Sequence, residues 1–343
     1  MSLFYLLLCV KLSANLKSFY LRRKPSFFMR KIISLIRTYF KEHFSLRYFI
    51  PVFLFTALLI FINYTYNFEQ RYITYERNDA KRLLLYFAMY FVSFGGAYFL
   101  YMFSKKDRQI LLSWKLWLMI VFTVFIFSFR WWFYHYNSLV YEYVPLRYQS
   151  IVIKYIINLS GFIWLFIPCA VYWFLVDRKN QPLYGFHAKG VALKPYFVLL
   201  LMMVPLVVGA ATQEDFLDTY PRLMHTGLPR TGWENNALNF LYEICYSIDF
   251  INTEFFFRGF MILAFARFAG PKVILPMCVF YVAIHFEKPL GETISSFFGG
   301  WIVGILAYET KSIFGGVIVH LGIALLMEVV ALAAHILNSN SVF

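Results

Sequence analysis

Apolar runs of roughly 20 residues recur from residue 48 to the C-terminus, separated by short charged connections. That is the length a helix needs to cross the hydrocarbon of a bilayer. The runs lie near 48–66, 83–103, 110–130, 151–176, 196–212, 237–263, 272–287, 294–308 and 312–336, and the eighth is short enough to be a broken or tilted helix. Apolar and polar residues do not alternate in ~10-residue segments, which argues against a β-barrel. The pattern predicts an all-α fold, a polytopic transmembrane helix bundle of about eight to nine spans.

Composition agrees, with 61% hydrophobic and 15% charged residues. The net charge of +14 would suit nucleic acid, but the basic residues sit between apolar spans, where they act as topology determinants. With the N-terminus inside, inner connections hold 20 Lys/Arg and outer ones 9. The expectation is an integral, multi-pass protein of a bacterial inner (plasma) membrane with a cytoplasmic N-terminus. Residues 1–47 form a basic segment, in which Ser2–Val10 is too short to span. Met29 is a second plausible start, so the first 28 residues read as an extension or a loosely structured arm. Cys9, Cys169, Cys245 and Cys278 lie far apart in apolar runs and read as small buried hydrophobes. The aromatic load of the first five spans reads as lipid contact and interfacial anchoring. Residues 213–236 are the longest polar connection, a surface loop or lid.

Chemistry concentrates after that loop. Glu254 and Arg258 sit at i and i+4 in an otherwise apolar helix, and so share a face. Ionisable groups are costly in lipid and mark functional sites by default. A self-neutralising structural ion pair is the plainer explanation of the two. It loses weight because His285 closes the seventh run and His320 sits inside the ninth. Gly299, Gly300, Gly304, Gly315 and Gly316 bracket the last two runs and let helices approach closely.

The order Glu254-x-x-x-Arg258-Gly259, an aromatic-x-x-x-His segment ending at His285, and His320 after the Gly315-Gly316 pair resembles the CPBP family. These are the CAAX-protease and bacteriocin-processing intramembrane proteases, also called the ABI family. The resemblance covers about residues 237–336 and implies catalytic-core helices in 237–343, behind family-variable helices and a loop in 48–236. It departs at two positions. The family's usual base, the first Glu of Glu-Glu-x-x-x-Arg, is Thr253 here, and the usual Asn after the last His is Ala324. Glu292 and Glu328 are carboxylates that could compensate, and Asp249 is a further candidate.

Amide hydrolysis needs an activated water and a stabilised oxyanion. The resemblance implies Glu254, Arg258, His285 and His320 as catalytic residues. His285, His320 and Glu254 would equally make a three-ligand site for a divalent metal such as zinc, and a metal-free site is the other option. There is no His-Glu-x-x-His motif. The leading expectation is an intramembrane endopeptidase acting on a membrane-associated peptide or protein, with the lipid bilayer as its other partner and no nucleic acid. The runner-up is a catalytically silent relative that binds or stabilises a membrane partner. A transporter or channel is the remaining class, and the two similar halves that would support it are not seen.

Overall fold

The computed structural model describes residues 27–103, 108–188, 191–228 and 232–340. The readings of Ser2–Val10, of Cys9 and of the chain before Met29 fall largely or wholly outside these residues. Among the described residues the chain is helical throughout, with no strand. The main helices are α1 (Phe27–Glu42), α2 (Leu46–Tyr66), α3 (Asp79–Phe99), α4 (Trp114–Trp132), α5 (Leu146–Gly161), α6 (Lys194–Ala210), α7 (Trp233–Glu254), α8 (Ile274–Ala283), α9 (Leu290–Thr310) and α10 (Phe314–Asn340).

Seven helical runs among the described residues are long and apolar enough to cross a membrane. One of them, Trp233–Ala283, has 51 residues, far more than the ~20 one crossing uses. It reverses near Gly270, whose φ of 55° lies in the left-handed region that glycine tolerates. Counting that reversal and the shorter apolar α6, the described residues hold nine apolar helical segments that are candidates for crossing.

Contacts between helix ends show which turns share a side. On one face, Asn63 Nδ2 at the end of α2 donates to Phe286 O (3.1 Å), and Thr74 Oγ1 donates to Glu287 Oε1 (2.8 Å). On the opposite face, Tyr101 OH donates to Lys272 O (2.6 Å) and Ser312 Oγ to His187 O (2.6 Å). Asp177 and Tyr184 are buried there and hydrogen-bonded to each other, and the more exposed Arg267 pairs with Asp177. The first is called the loop face below, because residues 211–228 cover it. The second carries α1 and is called the basic face.

One sequence expectation gains detail and another needs revision. The basic segment contains an amphipathic helix: α1 buries Ile32 and Tyr39 against the bundle while Arg30 and Lys31 are exposed, and Tyr39 meets Trp301 of α9 edge-on at 6.4 Å. The aromatic load of the front spans is divided. Phe53, Phe61, Phe99 and Phe125 are exposed at the lipid-facing surface, as expected. Tyr90, Phe94, Tyr98 and Phe127 are buried, and Tyr90 and Phe127 pack 5.1 and 5.2 Å from Phe280 of α8. The front helices therefore scaffold the C-terminal ones, because a large ring gains more contact in a core than against lipid tails. Cys169, Cys245 and Cys278 are buried free thiols, as expected.

Candidate active site

α7 carries the first two candidates. Its α-helical winding ends at Glu254, and Phe255–Ala264 continues as a π-helix. Such wide turns are rare and recur at functional sites. All ten residues of the π-segment are buried, so Arg258 lies among phenylalanines with 2% exposure, and Glu254 has none. Gly259 allows the segment to lie against the chain at Tyr184, since a Cβ there would stand 2.8 Å from Tyr184 O.

Glu254 is the hub. Its Oε1 lies 2.7 Å from Arg258 Nη1 and accepts a hydrogen bond from His320 Nδ1 at 2.8 Å. The Arg258 contact is ionic and not a directed hydrogen bond: Arg258 Nε and Nη1 find no aligned acceptor among the described residues. Arg258 instead lays its guanidinium over the Tyr281 ring, 4.2 Å from the centroid. Glu254 Oε2 is buried and has no hydrogen-bond partner among the described residues. α10 closes on it through Gly316, where a Cβ would overlap Oε2. Gly316 is thus the glycine that lets the His320 helix reach the carboxylate.

Tyr281 of α8 joins the two histidines. Its hydroxyl donates to His320 Nε2 at 3.0 Å, while its carbonyl accepts from His285 Nδ1 at 2.6 Å. Both imidazoles therefore hold their proton on Nδ1 and carry a lone pair on Nε2. The turn bearing His285 is fixed from outside α8. Thr293 Oγ1 donates to His285 O (2.6 Å), and Tyr64 OH of α2 bonds Lys288 O (2.5 Å). Phe250 of α7 packs edge-on against the His320 ring at 4.7 Å.

Glu254, Arg258 and His320 are thus in direct contact, and His285 joins them through Tyr281. The remaining candidates are engaged elsewhere. Asp249 lies 2.6 Å from Arg130 of α4. Glu292 accepts from Tyr220 OH at 3.0 Å, and Glu328 accepts from the backbone amides of Arg222 (2.7 Å) and Leu223 (3.1 Å). Thr253 is half-buried beside the hub and Ala324 is buried one turn beyond His320. Among the described residues no group of three or more His, Cys, Asp or Glu side chains is placed to hold a metal ion.

Sequence reasoning missed Tyr281, although its i, i+4 spacing to His285 was available as a signal. It also missed Tyr220, Arg222 and Arg130, whose roles depend on contacts between distant segments.

Residues 239–326 match the family model described as type II CAAX prenyl endopeptidase Rce1-like. The matched stretch runs from α7 to α10 and includes Glu254, Arg258, His285 and His320, in agreement with the resemblance drawn from those residues. This part of the chain is similar to that family. No curated protein and no solved structure matches the chain.

Proposed function

We propose that this protein is a CPBP-type intramembrane endopeptidase that hydrolyses a peptide bond of a membrane-associated protein or peptide. The observation that carries the reading is the continuous chain Arg258–Glu254–His320–Tyr281, with His285 on the same tyrosine. Glu254 is fully buried, so it acts through His320 as a positioning residue. A water at His320 Nε2 attacks the scissile carbonyl carbon as its proton passes to that nitrogen. Glu254 stabilises the imidazolium, as a buried carboxylate does in hydrolytic triads. The oxyanion takes the Tyr281 hydroxyl, which is released from His320, as its hydrogen-bond donor. His285 Nε2 holds the water's second hydrogen. Collapse breaks the C–N bond and returns the proton from His320 to the leaving amine, yielding one carboxylic acid and one amine.

A second reading, a catalytically silent relative, is favoured by a specific observation. Thr253 and Ala324 supply no carboxylate and no amide beside the site, and Glu254 is already committed to Arg258 and His320.

The purified native chain, reconstituted with membrane-anchored peptides, tests both. Glu254→Gln and His320→Gln should each lower kcat by roughly 10²–10⁴ with little change in KM, the range general acid–base groups supply. Thr253→Ala should be mild. Full activity in Glu254→Gln removes the proposed dyad. Absence of cleavage by the native chain, with cleavage created by Thr253→Glu plus Ala324→Asn, establishes the silent reading.

A further inference from the structure

The hub is sealed on one side and polar on the other. Toward the basic face lie Phe255, Phe256, Phe257, Phe260 and Phe265, all with no exposure, and Met277 and Cys278 of α8 are equally buried. Arg258 is the one charged side chain of that π-segment, and it is bound to Glu254. Toward the loop face the character reverses. On α10, His320, Ala324 and Glu328 recur every fourth residue and share one face. Glu328 is 6% exposed and holds the amides of Arg222 and Leu223. Lys288 and Glu292 follow His285 on the neighbouring turn and helix, and both contact Tyr220.

Tyr220 occupies the centre of this polar zone with 2% exposure. Its hydroxyl donates to Glu292 and accepts from Lys288 Nζ at 3.0 Å, and the Lys288 ammonium lies 5.2 Å from its ring centroid. His335 Nε2 lies 3.1 Å from both Leu217 O and Tyr220 O. Three separate fastenings, from α9, from mid-α10 and from the end of α10, hold residues 217–223 over the site. Nothing comparable is needed to hold a solvated loop. Glu328 in particular is a buried carboxylate spent on two backbone amides, which are strong charge-assisted bonds.

We infer that substrate reaches His320 and His285 from the loop face, the face opposite α1, and that residues 217–223 are the gate it displaces, with Tyr220 as the plug. This rests on the peptidase reading and deepens it by naming the substrate class. The scissile bond belongs to a membrane-anchored polypeptide segment presented on the side away from the basic N-terminal helix. Under the positive-inside orientation that side is non-cytoplasmic. When Tyr220 leaves, Lys288 and Glu292 are freed to bind the carbonyl and amide groups of the extended peptide that takes its place.

The test reads access without needing cleavage. Ala324→Cys is made in a full-length chain whose four native cysteines are replaced by alanine, then placed in proteoliposomes of determined orientation. A membrane-impermeant maleimide is added to one side at a time. Labelling is expected from the loop face and not from the basic face. It should accelerate roughly 10- to 100-fold in Tyr220→Ala and in the milder Glu328→Gln, the range for losing one charge-assisted hydrogen bond. Labelling from the basic face overturns the inference, as does a rate that neither variant changes. In parallel, peptides carrying the scissile bond on either side are offered to the native chain. Expected labelling with no cleavage of any peptide sinks the peptidase reading and leaves the access route standing. Cleavage confined to peptides presented on the basic face sinks the access route and leaves the peptidase reading standing.

Discussion

Two carboxylates on one helix, five residues apart, the first half-buried and the second fully buried, are used in opposite ways. Asp249 meets Arg130 of α4 at 2.6 Å, and that guanidinium also donates to Ser160 Oγ (3.2 Å) and Ile157 O (3.4 Å) of α5. The pair ties three helices together. Glu254 meets an arginine of its own chain turn, gives the same oxygen to an imidazole, and keeps Oε2 unpartnered among the described residues. The first arrangement spends its hydrogen-bonding capacity on architecture. The second leaves capacity unspent beside two imidazoles, one of which takes the Tyr281 hydroxyl on Nε2. In low dielectric an unsatisfied buried oxygen is expensive, so its persistence calls for a functional reason.

The largest expected effects come from treating the two carboxylates alike. Asp249→Asn should destabilise the protein by about 3–5 kcal/mol, because it strands the buried Arg130 charge. Turnover per folded molecule should be nearly unchanged. Glu254→Gln should lose turnover as well as stability, because it strands the Arg258 charge, which keeps the Tyr281 ring. Denaturation midpoints and kcat measured on the same preparations decide this. If Asp249→Asn loses turnover while staying folded, the division of labour is wrong.

A smaller effect sharpens the second half of the comparison. Gly316→Ala puts a methyl where Glu254 Oε2 now lies. Overpacking of this kind costs about 1–3 kcal/mol. The carboxylate should be pushed off His320, and kcat should fall more than stability explains. Gly299→Ala, which meets no atom within 4 Å, is the matched control and should be neutral in both measurements. Equal behaviour of the two variants would mean that α10 does not need to approach Glu254 closely.

The comparison also explains what could be read from sequence. The spans were legible because apolar length is a local property. Glu254, Arg258, His285 and His320 were legible because their residue types are out of place in apolar runs. Asp249 stood out as a further candidate for the same reason, and its partner Arg130, 119 residues away, shows its separate use. Glu292 and Glu328 stood out as spare carboxylates, but their partners are a tyrosine and two backbone amides in a loop that no helical periodicity connects to α9 or α10. The π-winding after Glu254 leaves no periodic trace either, because every residue of Phe255–Ala264 is buried and no exposed face marks the turn. Tyr220 was illegible because an aromatic in a polar loop carries no sign of the cleft it fills.

The smallest effect concerns the loop-face gate, where a cation is buried. Burial pushes the Lys288 ammonium from 10.5 down to about 8, opposed by Glu292, with Arg222 pushing the same way as burial and Glu328 and Glu287 opposing it. The closed form therefore binds fewer protons than the open or unfolded form between pH 8 and pH 10.5. By linkage the closed form gains stability as pH rises across that window, and it carries the full penalty of the buried charge below pH 8. Lys288 keeps 25% side-chain exposure, so the gain is on the order of 1 kcal/mol once solvent screening is allowed for. Unfolding midpoints of the native chain should rise between pH 8 and pH 10 relative to Lys288→Met, which has no charge to lose. Asp249→Asn should shift both proteins equally at every pH, because Asp249 pairs with Arg130 and not with Lys288. A native chain that loses stability over this window relative to Lys288→Met would mean that the ammonium is stabilised by Glu292 and Tyr220, and that the Lys288–Tyr220 contact is a staple of the Asp249 kind and not a latch held under strain.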